Sequence, residues 1–207
     1  MKYVLIFLLG FSHLISHGQT TTTEFDGHKW EAPYHLPTPK DWGIERFLIP
    51  ISFAPSISYK GVEDIRFAPG WANSKSEEYW TYAFLWYLEG KVNMNEQIIA
   101  GNLTAYYTGL FNINTDSARR AAVKIIPVTT SFKKTATATG DLETYTGVIE
   151  MMDYMQLKPI TLNCKAHLRY CSDSDKTIVF YELSPQPFTH TNWVSLDQLW
   201  TGFACKK

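Results

Sequence analysis

The most aromatic stretch of the chain is "YWTYAFLWYL", which runs from Tyr79 to Leu88 and contains six aromatic residues. A helix of this composition would have no polar face, whereas aromatic residues favour strands. Because successive strand residues point to opposite faces, the pattern predicts a central strand with one bulky face and one mixed face. The bulky face consists of Trp80, Tyr82, Phe84 and Trp86. We expect this face to lie mainly in the core, with an exposed binding row as the alternative.

Shorter alternating patterns predict strands on either side of this run. "IERFLI" and "GVEDIRF" precede it, and "LETYTGVIEMMDYM", "ITLNCKAHLRYC" and "IVFYEL" follow it. A turn at Gly140-Asp141 predicts a hairpin with "AAVKIIPVTTSFKKT", and the polar turn "SDSDKT" predicts that the last two strands pair antiparallel. Pro127 cannot donate to a sheet ladder, so its strand is expected at an edge or at a bulge.

A helix is predicted directly after the aromatic strand. Asn93 and Glu96 form a capping-box pattern, in which each side chain serves an unpaired backbone N–H of the first turn. Apolar residues then recur at helical spacing as far as Leu110. Gly109 can adopt the left-handed conformation that ends a helix. The helix is therefore expected to end close to Gly109.

A second helix is predicted in "TNWVSLDQLWTGFAC", with Thr191 or Asn192 as its N-cap. Within "ITLNCKAHLRYC", Leu162 and Leu168 lie on the apolar face of the predicted strand, and His167 lies on the polar face. We expect the closing helix to pack on the apolar face. His167 is expected to be exposed.

These elements predict one α+β domain, an antiparallel sheet with helices packed on it in an α/β/α-type sandwich. The element order and the closing helix resemble the PsbP-like α/β/α sandwich. The residues of that helix that carry the resemblance are Trp193, Leu196, Leu199, Trp200 and Phe203. The whole chain also resembles secreted bacterial proteins of uncharacterised function, through "DIRFAPGW", "EEYWTYAFLWYLEG" and the terminal helix. The resemblance implies a fold and export but no site residues.

The start of the chain has the order of a secretory signal peptide. A basic residue precedes an apolar run too short to span a membrane, and small residues follow at Ser16 and Gly18. Cleavage after Gly18 gives a signal peptide, 1–18, a flexible tail with a Pro-rich arm, 19–43, and a single α+β domain, 44–207. The mature chain is therefore expected to be secreted or periplasmic, without a transmembrane segment.

Charge limits the choice of partners. The chain has 19 Lys and Arg against 20 Asp and Glu, and no basic block that would neutralise phosphates. Nucleic acid is therefore not an expected partner. The expected partner is an unidentified protein or a small molecule.

The three cysteines, Cys164, Cys171 and Cys205, lie in the last quarter of the chain. After export one pair can form a disulfide and leave one thiol over. Cys205 is expected to pair with either Cys164 or Cys171. A zinc site is not expected, because strand alternation puts Cys164 on the opposite face from His167 and Cys171.

No known catalytic pattern is present. The chain contains no nucleophile elbow, phosphate-binding glycine loop or zinc-binding histidine pair on a helix, so no catalytic, cofactor-binding or metal residue is predicted. Two pairs of neighbouring acids, Glu63-Asp64 and Glu77-Glu78, point to opposite faces if they lie on strands, and we expect them to be solvated.

Four side chains are candidates for facing a ligand: Tyr79, Tyr87, Glu150 and Asp153. The two tyrosines lie on the mixed face of the aromatic strand. Glu150 and Asp153 stand among Met and Tyr residues. One alternative is that one of them is a partly buried carboxylate. The other, which we expect, is that both belong to an edge strand with one face exposed to solvent.

The sequence thus favours an exported non-catalytic module that binds a partner protein or a small ligand in the cell envelope or outside the cell. The alternative is a hydrolase-type enzyme whose residues converge only in three dimensions, so enzymatic activity stays open. A concave pocket joining two or more acids or histidines would favour the enzyme. An apolar groove or an exposed sheet edge would favour the binding module.

Overall fold

The computed structural model describes residues 25–206 of the chain. This part contains nine strands and three α-helices. In chain order they are β1 (Tyr34–His35), β2 (Gly43–Ile49), β3 (Gly61–Phe67), β4 (Tyr82–Glu89), α1 (Glu96–Asn114), α2 (Ser117–Ala121), β5 (Thr129–Lys134), β6 (Glu143–Asp153), β7 (Lys158–Cys171), β8 (Lys176–Ser184), α3 (Asn192–Thr201) and β9 (Ala204–Cys205). The predicted signal peptide, 1–18, lies outside the described residues. None of the described helices is long and apolar enough to cross a membrane.

Seven of these strands form one antiparallel sheet in the order β2-β3-β4-β8-β7-β6-β5. β4 lies inside the sheet, where Phe84 is paired with Ile65 of β3 and with Tyr181 of β8. Both predicted pairings are confirmed, since β5 pairs with β6 and β7 with β8. β5 is an edge strand, as predicted, and Pro127 lies outside it, two residues before Thr129.

The even face of the aromatic run lies in the core beneath α1. Tyr82, Phe84 and Trp86 belong to one buried cluster with residues of α1 and β8. Trp80 precedes the strand and is 1% exposed in the same cluster. The core prediction is confirmed, and the alternative of an exposed row is wrong.

The start and end of α1 differ from the prediction. The N-cap is Asn95, whose side chain accepts a 2.9 Å hydrogen bond from the backbone N–H of Ile98. Gly109 lies inside the helix, which continues for more than a turn beyond it. A Cβ at Gly109 would collide with the carbonyl oxygen of Phe53. This glycine therefore allows the loop after β2 to approach the helix closely, and it does not end the helix.

The other long helix, α3, covers the opposite face of the sheet, where it packs with Leu85 and Phe180. The prediction that α3 covers Leu162 and Leu168 is wrong, because both leucines belong to the core beneath α1. α3 instead covers the polar face of β7. The charged side chains of this face form ion pairs with acidic residues. With helices on both faces, the α/β/α-type sandwich is confirmed.

The Pro-rich arm is tied to the end of the chain. β1 pairs antiparallel with β9, so that Tyr34 lies opposite Cys205. Cys205 forms a disulfide with Cys171 at the end of β7. Of the two partners considered, Cys171 is correct, and Cys164 is a buried free thiol. The arm is held against the α3 face, where Tyr34 is buried.

Candidate functional site

A cavity of about 270 Å³ lies on the α1 face of the sheet, where β2 and β3 meet the last turns of α1. Its lining residues are Glu45, Phe47, Phe53, Ile65, Phe67, Trp71, Trp80, Tyr82, Tyr106, Leu110, Ile113, Asn114 and Tyr154. Eight of them are aromatic, so we call this space the aromatic cavity. Ile113 is 63% exposed, and several lining rings are only half-buried, so the cavity is open to solvent.

The segment 68–81, between β3 and β4, supplies both tryptophans that line the cavity, Trp71 and Trp80. The backbone N–H of Ala68 donates to the carbonyl of Thr81 at 3.2 Å, which closes the segment at its base. Glu78 is half-buried and accepts a 2.7 Å hydrogen bond from the N–H of Gly70. Glu77 is exposed, as predicted, but Glu78 is not simply solvated. These bonds give the segment a defined conformation.

Trp80 has two unusual features. Its φ of 55° lies in the left-handed region, which a bulky residue rarely adopts. Its backbone N–H donates to the carbonyl of Trp71 at 2.9 Å, which holds this conformation. Its indole Nε1–H is buried without a hydrogen-bond partner among residues 25–206. Backbone strain and unpaired buried polar groups are both concentrated at functional sites.

A hydrogen bond fastens this segment to the end of β6. The hydroxyl of Tyr79 donates to Oδ2 of Asp153 at 2.5 Å, and Oδ1 of Asp153 accepts from the N–H of Met155 at 2.7 Å. Burial raises the pKa of Tyr79, and the bond to Asp153 adds to this rise. Asp153 is 2% exposed. The expectation of an edge strand is wrong, because β6 lies between β7 and β5. Asp153 is not on a wet face either, because the tyrosine covers it.

A buried carboxyl group lies behind the cavity wall. Glu63 accepts hydrogen bonds from Trp86 Nε1 at 2.8 Å and from the hydroxyl of Tyr106 at 2.7 Å. Burial raises the pKa of Glu63 to about 8, against the opposing effect of these two bonds. Because Tyr106 lines the cavity, it connects this carboxyl group to the wall.

The prediction that Glu63 and Asp64 are solvated is wrong, since both are fully buried on opposite faces of β3. Asp64 forms ion pairs with Arg66 and, at 3.0 Å, with Arg46. It also accepts a 2.9 Å hydrogen bond from the hydroxyl of Tyr34. Both faces of β3 are therefore covered, one with Glu63 beneath α1 and one with Asp64 beneath the arm.

A second polar cluster lies beneath α3, and Asp141 is its centre. One carboxylate oxygen accepts from Arg169 Nε at 3.0 Å and from Trp200 Nε1 at 2.9 Å. The other accepts from Thr144 at 2.7 Å and lies 2.7 Å from Nδ1 of His167. Burial would raise the pKa of Asp141, but these partners, above all His167, hold it below the ordinary value.

His167 is buried, so the prediction that it is exposed is wrong. Its Nε2 lies 3.5 Å from Oε1 of Glu182, and Lys165 Nζ lies 3.5 Å from Oε2. Burial alone would lower the pKa of His167, but its contacts with Asp141 and Glu182 outweigh burial and raise it. Burial raises the pKa of Glu182, despite its cationic neighbours. The sequence pattern does not reveal this cluster, because its central acid, Asp141, comes from the turn between β5 and β6.

The structure brings together two of the four candidate ligand-facing residues. Tyr79 and Asp153 are hydrogen-bonded at the edge of the aromatic cavity. Tyr87 is buried on the opposite face of the sheet, in the cluster beneath α3. Glu150 is exposed on β6, where it accepts a 2.8 Å hydrogen bond from Thr129. The carboxylate of Glu150 and the phenol of Tyr87 therefore do not take part in this cavity.

Most of the cavity wall has no local signature in the sequence. Phe47, Trp71 and Tyr154 come from three segments that meet only in the folded chain. The available signal was the alternation in β2, which places Glu45 and Phe47 on the same face.

The chain matches no protein-family model, no curated protein and no solved structure. Within residues 25–206, no group of three or more His, Cys, Asp and Glu side chains is placed to hold a metal ion. The geometry of the aromatic cavity is therefore the basis of the functional proposal.

Proposed function

We propose that this chain is an exported, non-catalytic module that binds a small ring-bearing ligand in the aromatic cavity. The observation that carries the proposal is that eight aromatic side chains surround one open space of about 270 Å³. An engineered apolar cavity of about 150 Å³ admits benzene, so a ligand of one or two rings fits here. Aromatic walls favour such ligands through stacked and edge-to-face contacts.

The wall is organised without a ligand. The segment 68–81 is closed by its own backbone hydrogen bonds and fastened through Tyr79 to Asp153. On the other side, Tyr106 and Leu110 of α1 pack into the main core. A pre-formed site spends little binding energy on ordering. This organisation supports a binding role for the cavity.

A small ligand is better supported than a partner protein. The half-buried rings of Phe47, Phe67, Trp71 and Tyr154 surround a concave space. Small-molecule sites are typically concave and mostly apolar, with a few polar groups. Glu45 and Asn114 supply such polar groups here.

The hydrolase alternative has less support. Asp141, His167 and Glu182 do converge in three dimensions, as that alternative requires. However, His167 is 5% exposed and Glu182 is fully buried beneath α3. A catalytic acid or base must reach its substrate. The cluster is therefore better explained as the polar part of the α3 interface.

Export is part of the proposal. It is supported by the order of basic, apolar and small residues in 1–18 and by the Cys171–Cys205 disulfide, which suits an oxidising compartment. We also propose kinship with the PsbP-like sandwich and with the secreted bacterial proteins named above. The order of the elements and the closing helix support this kinship.

A variant that fills the cavity tests the binding role. Leu110 lines the cavity, whereas Thr108 is exposed on the same helix and does not line it. We expect 2-phenylethanol to bind the wild-type protein saturably in calorimetry. Leu110→Trp should weaken binding at least about tenfold by occupying the space, and Thr108→Trp should bind as the wild type does.

Unfolding midpoints of both variants close to the wild-type value establish that the fold is intact. Absence of saturable binding by the wild-type protein would refute the proposal. Equal affinity of Leu110→Trp and the wild type would do the same, because the ligand would then occupy another place.

A further inference from the structure

We infer that the ligand of the aromatic cavity carries a positive charge, as an alkylammonium or quaternary ammonium group attached to a ring or a short apolar chain. The inference rests on the proposed function, because it names the chemical class of the ligand for the same cavity. It is carried by the charge of the cavity wall and by the nature of its rings.

Glu45 is the charged member of the cavity wall, and it lines the cavity together with Phe47 of the same strand. Among residues 25–206, no cationic side chain lies within ion-pair distance of Glu45. Burial is the main cause of the raised pKa values of Tyr106 and Tyr154, and the charge of Glu45 adds to both. Glu45 is exposed, so its carboxylate lies at the solvent-facing side of the wall, and its charge reaches both phenols.

No basic residue among the lining residues offsets this charge. Arg119 lies close by, but its guanidinium donates to the backbone carbonyls of Asn114 at 3.2 Å and Tyr154 at 2.8 Å. Asp153 also acts on Tyr154, and its charge helps to raise the pKa of that phenol. Arg119 keeps its positive charge, but the two carboxylates of Glu45 and Asp153 outnumber it, so an anionic ligand would meet a net like charge and a cationic ligand a net opposite one.

The rings of the wall suit the same class of ligand. A cation within about 6 Å of an aromatic face is attracted by the quadrupole of the ring, most strongly by tryptophan. Phe47, Trp71 and Tyr154 are half-buried, so they are accessible from the cavity, and Glu45 lies in the same wall. A bound ammonium group would gain from the rings and from the carboxylate together, while its apolar part fills the space between the rings.

Three probes with the same phenethyl body separate charge from shape. Phenethylamine is cationic at neutral pH, 2-phenylethanol is neutral and 3-phenylpropionate is anionic. Their affinities can be measured by quenching of tryptophan fluorescence, because Trp71 and Trp80 line the cavity. The substitution Glu45→Gln is matched by Glu150→Gln, which makes the same change at an exposed carboxylate outside the cavity.

We expect the wild type to bind phenethylamine about tenfold more tightly than 2-phenylethanol and to bind 3-phenylpropionate most weakly. Glu45→Gln should reduce the preference for the amine to about threefold or less, and Glu150→Gln should keep it. If the amine binds no better than the alcohol, or if Glu45→Gln keeps the full preference, the inference is wrong while the binding function stands. If none of the three probes binds, the proposed function fails as well.

Discussion

The hydroxyl of Tyr79 donates a 2.5 Å hydrogen bond to Oδ2 of Asp153, 74 residues further along the chain. This bond joins the segment that carries Trp71 and Trp80 to the end of β6. This contact between side chains that are distant in sequence therefore helps to position one wall of the aromatic cavity.

The variant Tyr79→Phe removes this bond and leaves Asp153 with the N–H of Met155 as its remaining donor. We expect the free energy of unfolding to fall by about 1–2 kcal/mol and the affinity for 2-phenylethanol to fall as well. Tyr170→Phe is the matched control, because its hydroxyl binds Asp175 in an exposed position. A control that weakens binding as much as Tyr79→Phe would contradict the assigned role.

The aromatic core makes a second prediction. Trp80 and Trp86 are 1% and 0% exposed. Replacement of either by alanine should lower the free energy of unfolding by roughly 3 to 5 kcal/mol, through lost burial and the cavity left behind. Val194→Ala, at an exposed position of α3, should change it by less than about 0.5 kcal/mol. Urea unfolding measures all three, and wild-type midpoints for both tryptophan variants would contradict the burial described here.

The position of these rings could be predicted from the sequence because the signal is local. Strand alternation assigned Tyr82, Phe84 and Trp86 to one face, and this face needed only a helix to cover it. The turn at Gly140-Asp141 likewise identified a hairpin from neighbouring residues alone. Local signals therefore predicted two of the strand pairings, β5 with β6 and β7 with β8, and the α+β class.

The polar interior could not be predicted in the same way. His167 and Lys165 lie on a face that is polar by composition, yet α3 covers this face because Asp141, Glu182 and Asp197 supply opposite charges. These acids come from three other segments, and periodicity does not reveal long-range partners. The aromatic cavity was missed for the same reason.

The disulfide gives a prediction for the oxidised protein. Cys171 and Cys205 are bonded over a sequence separation of 34, and Cys164 is free. Thiol titration of the denatured, unreduced protein should therefore find one thiol per chain. Cys205→Ser should lower the free energy of unfolding by about 3 to 4 kcal/mol through the added freedom of the unfolded chain. Three titratable thiols would contradict the bridge.

Stability should depend on pH through Glu63. Burial raises its pKa from 4.5 to about 8, so folding takes up a proton between these values. The stabilisation that the protonated Glu63 contributes is complete below its pKa in the unfolded chain. It is lost as pH rises through its pKa in the folded protein. Glu63→Gln cannot ionise, and its amide can accept from Trp86 and donate to Tyr106.

The wild type should therefore lose more stability than Glu63→Gln between about pH 5 and about pH 9, by about 2 kcal/mol or more. Urea unfolding at both pH values tests this difference. Equal losses by the two proteins would mean that Glu63 does not titrate in this range in the folded state.

The most direct test of the aromatic cavity is the response of the tryptophan indole N–H signals in ¹H–¹⁵N NMR spectra to 2-phenylethanol. Trp71 and Trp80 line the cavity, and the unpaired Nε1–H of Trp80 is especially sensitive to a new neighbour. Trp193 and Trp200 belong to α3, are buried against the opposite face of the sheet and serve as internal controls. We predict saturable shifts of the Trp71 and Trp80 signals with the control signals unchanged. Shifts of the control signals alone, or no saturable shift at Trp71 and Trp80, would contradict binding in this cavity.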